Sequence, residues 1–456
     1  MARDPDAAPV VVYLIDTLRA DRTGPYGYSQ AITPAMDALA AAGIVFEQAY
    51  APAPWTLPSV PSIMTSTFPC EHGVVVDGDR LPPTLVPLAE RLRAAGRPTA
   101  AFYANPYVGP MSGLDRGYDH LVDRWRIDGE VIAGWVREHR DRPFFLYIHT
   151  VEPHDPWFVP RRLVRQRDST AQAYKRRLEY LVDRYRRATR ADFAAGLPPG
   201  TTNTTALQEA LLDDLSALLQ PAGVLYDAAV QHADEHLASV VATLRRLGVW
   251  ERTLFVLLSD HGEEMGDHGG WLHSQSLYEE VVRVPLIVKL PGGRRGGTRV
   301  REPVSLVDVA PTILAVLGRS DLAVGFRGRS LLPLLEGTHP GAPAPRQVPA
   351  MRINRKKHMG PFQTQRGDVN VAVRDGDQKA IYNADPETLE LYDLAQDPGE
   401  RRDLGGSRPQ AHSLREHARQ WLEACRPPER PADGAPGAGQ IPDAVRERLR
   451  ELGYID

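Results

Sequence analysis

Apolar residues gather in short uninterrupted runs at 10–15, 98–103, 144–148, 253–258 and 284–288. Each run has the length of a strand, and continuous rather than alternating apolarity predicts burial on both faces. The stretches between them keep a different period. Tyr226, Val230, Ala233, Leu237, Val240, Leu244 and Leu247 fall alternately four and three residues apart, which places them on one face of a helix. Gly248 ends that helix just before the 253–258 strand. A further helix is predicted with Thr33 as N-cap and Pro34 in its first position, stopping at Gly43. Strands alternating with amphipathic helices predict an α/β fold, a large and mostly parallel sheet flanked by helices.

The pattern changes in two places. Residues 158–224 are Arg-rich over 161–190 and loose over 196–205, predicting a partly helical insertion that stands off the sheet. It reads either as a solvated lid or as a basic flap over an anionic substrate. After Gly337 a Pro-rich linker predicts a boundary, with a catalytic domain over 1–338 and a C-terminal subdomain over 339–456. Segments 370–374, 378–382 and 389–394 predict a small antiparallel sheet, followed by a Gly/Pro/Ala tract at 432–440 and a terminal helix at 442–452.

Composition narrows the function classes. The chain has 456 residues, with 54 Lys+Arg against 58 Asp+Glu, and a net charge of −4 argues against a protein that coats nucleic acid. Two cysteines are too few for a disulfide scaffold. The apolar run at 9–15 falls short of the roughly 20 residues a membrane span needs. It meets Asp16 at once, and no signal-peptide pattern precedes it. A cytoplasmic soluble protein is expected, and the sequence carries no signal of oligomeric state.

Candidate chemistry sits at the predicted strand ends, where open parallel sheets bind ligands. Asp16 follows the first strand, Asn105 follows the second, His149 ends the third, and Asp260-His261 closes the fourth. Two carboxylates and an imidazole make part of a mixed oxygen–nitrogen metal site. The turn Ala53-Pro54-Trp55-Thr56-Leu57-Pro58-Ser59 leads into a short helix predicted over 59–66, with Pro58 and Pro61 in its first turn. Thr56 then stands at a helix N-terminus, which favours a tetrahedral anion. A metal that lowered the hydroxyl pKa would make it a nucleophile; the plainer reading is a helix cap.

The ordered run of motifs resembles the sulfatase family of the alkaline phosphatase superfamily. The carrying residues are Asp16-Thr17-Leu18-Arg19-Ala20-Asp21, Thr33-Pro34, Trp55-Thr56-Leu57-Pro58-Ser59 and Glu152-Pro153-His154-Asp155-Pro156. Ser259-Asp260-His261-Gly262-Glu263, Tyr278-Glu279-Glu280 with Arg283-Val284-Pro285, and Glu390-Leu391-Tyr392-Asp393-Leu394 continue it. The resemblance spans nearly the whole chain except 158–224. It implies an alkaline-phosphatase-like fold and a small anionic ester substrate. Asp16, Thr56, Asp260 and His261 would hold the metal, and Thr56 would be the nucleophile. His154 and His273 would serve as catalytic histidines near the leaving group. Asn105 and His149 are expected to bind substrate.

Departures from the family pattern shape the expected chemistry. Sulfatases open a Cys/Ser-x-Pro-x-Arg motif with the residue oxidised to formylglycine; here the run is Thr56-Leu57-Pro58-Ser59-Val60. Threonine cannot be so modified, and Asp-His stands where sulfatases carry Asp-Asn. A phosphate-type ester hydrolase or transferase is expected, with one divalent ion, manganese or zinc before calcium or magnesium. The alternatives are a sulfatase working without formylglycine, and an inactive anion-binding homologue. The acidic stretch 263–268, including Glu264-x-x-x-His268, is expected to be a charged surface loop rather than a second metal site.

Overall fold

The computed structural model describes residues 5–30, 32–155, 157, 159–168, 219–338, 346–353, 369–405, 409–425 and 443–452. The central part of the predicted insertion, the linker at 339–345 and the tract at 432–440 lie outside the described residues. In chain order the strands are Val10–Ile15 (β1), Ile44–Tyr50 (β2), Thr99–Tyr103 (β3), His120–Asp123 (β4), Phe145–Thr150 (β5) and Leu254–Leu258 (β6). There follow Glu264–Met265 (β7), Trp271–Leu272 (β8), Arg283–Lys289 (β9), Thr298–Val300 (β10) and Val304–Ser305 (β11). The last four are Gln347–Ile353 (β12), Val369–Asp375 (β13), Gln378–Ala384 (β14) and Glu387–Asp393 (β15).

The large sheet runs β10-β2-β9-β6-β1-β5-β3-β4, with β11 also pairing with β2. Its pairings are parallel except those of β9, which runs against both β6 and β2. β1, entirely apolar, lies between β5 and β6, so both its edges and both its faces are covered. Val11, Tyr13 and Ile15 pack with the helices Leu219–Arg246 and Gly129–His139. Val10, Val12 and Leu14 pack on the opposite face with the helices Thr56–Thr65 and Val309–Val316. Alternate residues therefore feed two separate cores, as strand geometry requires.

The predicted apolar runs all become strands of this sheet. β2 escaped prediction because Glu47 and Gln48 interrupt its apolar run, where the register with β9 shifts between Phe46 and Ala49. β4 escaped because it is a largely exposed edge strand. The small sheet runs β12-β13-β14-β15, all antiparallel, and gains β12 over the expectation. One of its faces packs on the helix Pro409–Ala424 and the other on Tyr50, Leu277 and Tyr278.

Two local expectations need correction. Thr33 does sit at the N-cap of Pro34–Ala42, but its hydroxyl accepts from Gly24 N at 2.8 Å rather than capping. Asp234, on the helix Leu219–Arg246, instead accepts from Ala35 N at 2.9 Å and Met36 N at 2.8 Å. The helix expected over 59–66 spans Thr56–Thr65, because the first-turn amides need no intrahelical partner and Pro58 is tolerated among them. The two cysteines, too few for a scaffold, do make one cross-link. Cys70 and Cys425 are bonded with Cα atoms 5.4 Å apart, tying the helix Pro409–Ala424 to the turn at Pro69–His72.

Candidate active site

Parallel β1, β3, β5 and β6 deliver their carboxyl ends to one edge of the sheet. The backbone leaves β1 at Asp16 and turns through Thr17 at φ 56°, a left-handed conformation unfavourable for a β-branched residue. Neighbouring groups hold that turn in place. Thr17 O accepts from Tyr226 Oη at 2.6 Å, and Tyr226 Oη in turn accepts from Arg19 N at 2.9 Å. Leu18 N donates to Ser259 Oγ at 2.9 Å, and Ser259 Oγ donates to His261 O at 2.7 Å, joining the turns after β1 and β6. Ser59 Oγ donates to Asp260 O at 2.8 Å and brings the start of Thr56–Thr65 to the same place. Gly262 is required for close approach, since a Cβ there would lie 2.0 Å from Glu280 O.

These turns converge on a fully buried cluster of Asp16, Thr56, Asp260 and His261. Thr56 Oγ1 lies 3.4 and 3.3 Å from the two oxygens of Asp16 and 3.3 Å from His261 Nε2. Asn105 Nδ2 donates to Asp16 Oδ2 at 2.9 Å and to Thr56 Oγ1 at 3.3 Å. His149 Nε2 is 3.0 Å from Asp16 Oδ2, and its Nδ1 is 2.9 Å from Tyr147 Oη. The structure thus brings Asn105 and His149 onto Asp16. His154 and His273 stand beside the cluster, with ring centroids 4.9 Å apart, and His273 is 4.7 Å from His261.

The electrostatics divide the two aspartates. Burial disfavours charge on both, but hydrogen bonds from His149 and His261 hold Asp16 well below the usual carboxylate range. Asp260 Oδ1 accepts from the His261 backbone N at 3.1 Å, but burial together with the charge of Asp16 outweighs it and pushes Asp260 up to about 6. Burial opposes a proton on His261, yet Asp260 and Asp16 raise it to about 9. A field that holds a proton on a buried imidazole also suits a cation.

The residues present fit a divalent metal. The ligand atoms of Asp16, Asp260 and His261 lie within 4.8 Å of one another, the one such group among the described residues. Asp260 Oδ2 is buried and makes no hydrogen bond. His261 Nδ1 is 2.9 Å from Gly262 O, a partner that fixes the tautomer and turns Nε2 toward the carboxylates.

Residues 263–268 are not the expected surface loop. Glu263 and Glu264 are fully buried, and Asp267 pairs with Arg19 at 2.7 Å. The β7–β8 hairpin folds this acidic stretch inward, which its polarity concealed. Glu263 Oε1 lies 2.9 Å from His273 Nδ1, and burial pushes the Glu263 carboxyl up to about 8. Ser59, Ser259, Tyr226 and Glu263 were all missed as site residues. Ser259 and Glu263 flank Asp260-His261, so adjacency was the available signal; Tyr226 was readable only as helix core.

The sulfatase family model matches residues 9–319, and N-sulphoglucosamine sulphohydrolase, C-terminal, matches residues 266–427. The multifunctional alkaline phosphatase superfamily protein PehA of Trinickia caryophylli is 27% identical over 306 residues, covering 63% of this chain and 56% of that one. The chain thus matches little more than half of that relative's length. Choline-sulfatase of Rhizobium meliloti is 24% identical over 456 residues, covering 87% and 82%. The phosphonate monoester hydrolase of Agrobacterium radiobacter shares the fold, with a TM-score of 0.68 at 20% identity over 92% of this chain and 95% of that one. A family match that begins just before β1 and runs past every member of the Asp16–Thr56–Asp260–His261 cluster makes this chain a member of the sulfatase family of the alkaline phosphatase superfamily.

Proposed function

We propose that the protein is a metal-dependent hydrolase or transferase of a phosphate-type ester, with Thr56 Oγ1 as its nucleophile. The carrying observation is the placement of Thr56, whose buried hydroxyl heads a helix within 3.4 Å of Asp16 and 3.3 Å of His261. Asp16, Asp260, His261 and Thr56 would hold one divalent ion, which would supply Lewis acidity toward the anionic ester. Every other function falls to the chain. Asp16 accepts the hydroxyl hydrogen bond of Thr56, and Asn105 orients both residues by donating from Nδ2 to Asp16 Oδ2 and Thr56 Oγ1. The backbone amides of Thr56 and Leu57, at the start of Thr56–Thr65, would face the developing negative charge. His154 and His273, with rings 4.9 Å apart, would protonate the leaving oxygen, and Glu263 Oε1, 2.9 Å from His273 Nδ1, would hold that ring.

Sulfate ester hydrolysis is the second reading, favoured by the extent of the choline-sulfatase match. It must then proceed without formylglycine, since Thr56 occupies that position. Assays on aryl phosphate mono- and diesters, phosphonates and sulfates separate the two. Chelation is expected to abolish activity, and Mn²⁺ or Zn²⁺ to restore it better than Ca²⁺, because His261 offers nitrogen beside hard oxygens. Activity that survived exhaustive chelation would overturn the metal assignment.

A further inference from the structure

His273 owes its place to a short hairpin. β7 and β8 pair through Glu264 opposite Leu272 and Met265 opposite Trp271, and Gly266 N donates to Gly270 O at 2.7 Å across the turn. Leu272 and Ser274, on either side of His273, both take left-handed backbone, with φ 68° and φ 72°. Neither is a glycine, so the segment that aims this imidazole is strained and must be held by its surroundings. Ser274 N donates to Pro54 O at 2.9 Å, two residues before Thr56, and Glu263 holds the ring. The hairpin supplies the hold on Leu272.

That hairpin closes around a carboxyl. Met265 and Trp271 enter the core with Tyr226, whose Oη is committed to Thr17 O. Glu264 is fully buried, and neither of its carboxyl oxygens makes a hydrogen bond. Gly270 leaves room for it, since a Cβ there would lie 2.4 Å from Glu264 Oε1 and would displace the carboxyl. The polar groups facing it are Glu280 on the helical turn Glu279–Val282, His268 and Asp267 in the hairpin turn, and Ser276 Oγ, itself without a hydrogen bond. His268 Nδ1 lies 2.6 Å from Glu280 Oε1 and its Nε2 3.0 Å from Glu400 O. Asp267 is taken by Arg19 at 2.7 Å, and Arg401 donates to the Asp267 carbonyl. An ionised Glu264 would therefore stand beside Glu280 with no Lys or Arg of its own. Ser276 and His268 favour that charge, but burial and Glu280 outweigh them and push the carboxyl up to about 8.

We propose that Glu264 is a positioning residue for His273, a carboxyl that latches the β7–β8 hairpin in its protonated form. Because it acts through His273, this rests on the leaving-group role proposed above for that histidine. In the closed hairpin the carboxyl ionises near pH 8, and once released to water it ionises near 4.5. Between those values closing the hairpin takes up a proton. Opening therefore becomes easier as pH rises, by at most about tenfold per pH unit, and the effect levels off above about pH 8. Each opening frees Leu272 and Ser274 from their left-handed backbone and takes His273 away from Glu263.

The test follows amide hydrogen exchange in the full-length protein supplied with Mn²⁺, read by mass in peptides spanning the hairpin. With the intrinsic pH dependence of exchange removed, wild-type protection should fall by about tenfold per pH unit relative to Glu264→Gln, from about pH 5.5 to about pH 7.5. Glu263 and His268 titrate in both proteins and cancel in that comparison. Glu264→Met, which also cannot titrate, serves if Glu264→Gln does not fold. Wild-type protection that tracks the variant at every pH overturns the proposal. Turnover gives the second readout. On esters of poor leaving groups the ratio of Glu264→Gln to wild type should rise with pH over the same range, and on activated aryl esters it should stay level. A ratio level on both would make Glu264 a lock on the hairpin alone and also overturns the proposal. Exchange reports the latch whether or not His273 donates a proton, so failure of that role, read in His273→Ala, is a separate outcome.

Discussion

Two regions of this molecule bury several charges together, and they resolve the resulting cost in opposite ways. Where the β12–β15 sheet meets the large sheet, Lys379 Nζ lies 3.0 Å from Glu279 and 2.8 Å from Glu400, with Arg374 3.7 Å from Glu279. Burial opposes charge on each, but Lys379 is held up by Glu279 and Glu400, and Glu279 is held down by Lys379 and Arg374. Cations and anions alternate, so each carboxylate has a cation within 3.7 Å, although burial and the charge of Glu279 still push Glu400 up to about 7. At the strand ends, both carboxylates face His261, His149 also stands on Asp16, and Asp260 Oδ2 makes no hydrogen bond. There burial and Asp16 push Asp260 up to about 6. A cluster whose carboxylates are bridged by Lys and Arg welds two elements together, whereas one whose carboxylates converge on imidazole alone, with no Lys or Arg between them, is built to bind a cation.

The strongest way to break this contrast is at Thr56. Thr56→Ala removes the nucleophile and a metal-facing oxygen together, and turnover should fall on the order of 10⁴-fold or more, with little change in folding. Thr56→Ser keeps the hydroxyl and should retain substantial activity. Near-wild-type turnover in Thr56→Ala would return Thr56 to the role of a helix cap. A smaller effect is expected at His154 and His273. If either protonates the leaving group, replacing it by Ala should slow esters of poor leaving groups by about 10²- to 10³-fold and spare activated aryl esters. Equal losses on both would assign that histidine to anion binding.

The two regions also differ in how far the sequence discloses them. Asp16, Asn105, His149 and Asp260-His261 were legible because parallel strands put their ends together, and uninterrupted apolar runs marked those ends. Thr56 was legible through the prolines around it. The weld was not, since Glu279, Lys379 and Glu400 lie in different elements with nothing in their local pattern to join them. Glu263 and Glu264 were misplaced for a related reason: a hairpin folds them inward, and polarity alone reads as exposure. Residues whose role depends on one element's own period were readable. Those whose role depends on partners across the fold were not.

Lys379→Met tests the weld. It leaves Glu279 and Glu400 buried without their central cation and should cost about 3 kcal/mol of stability, measured by denaturant unfolding. Turnover per folded molecule should change little, because Lys379 touches none of the strand-end cluster. Replacing Glu279, Lys379, Glu400 and Arg374 together by apolar residues should recover much of the loss. An undiminished midpoint in Lys379→Met would mean that the pairing contributes nothing beyond the packing around it.

The smallest effect probes a third arrangement, a buried carboxylate held by backbone amides. Asp234 receives Ala35 N and Met36 N at the start of Pro34–Ala42, and both lower its pKa. Burial outweighs them and pushes it from 3.8 up to about 6. Below about pH 3.8 the group is protonated in both folded and unfolded chains, and above about 6 it is ionised in both. Between those values the folded chain keeps the proton that the unfolded chain has released, so this residue's contribution to stability falls as pH rises across the window. Asp234→Asn cannot titrate and should flatten that slope. It keeps one acceptor oxygen for the helix amides, so its change at neutral pH should stay within about 1 kcal/mol. Unfolding midpoints for both proteins from about pH 4 to about pH 7 decide the matter. Curves that stay parallel would show that two backbone amides suffice to carry a buried charge, and the contrast between paired and unpaired clusters would then rest on the number of donors rather than on the presence of cations.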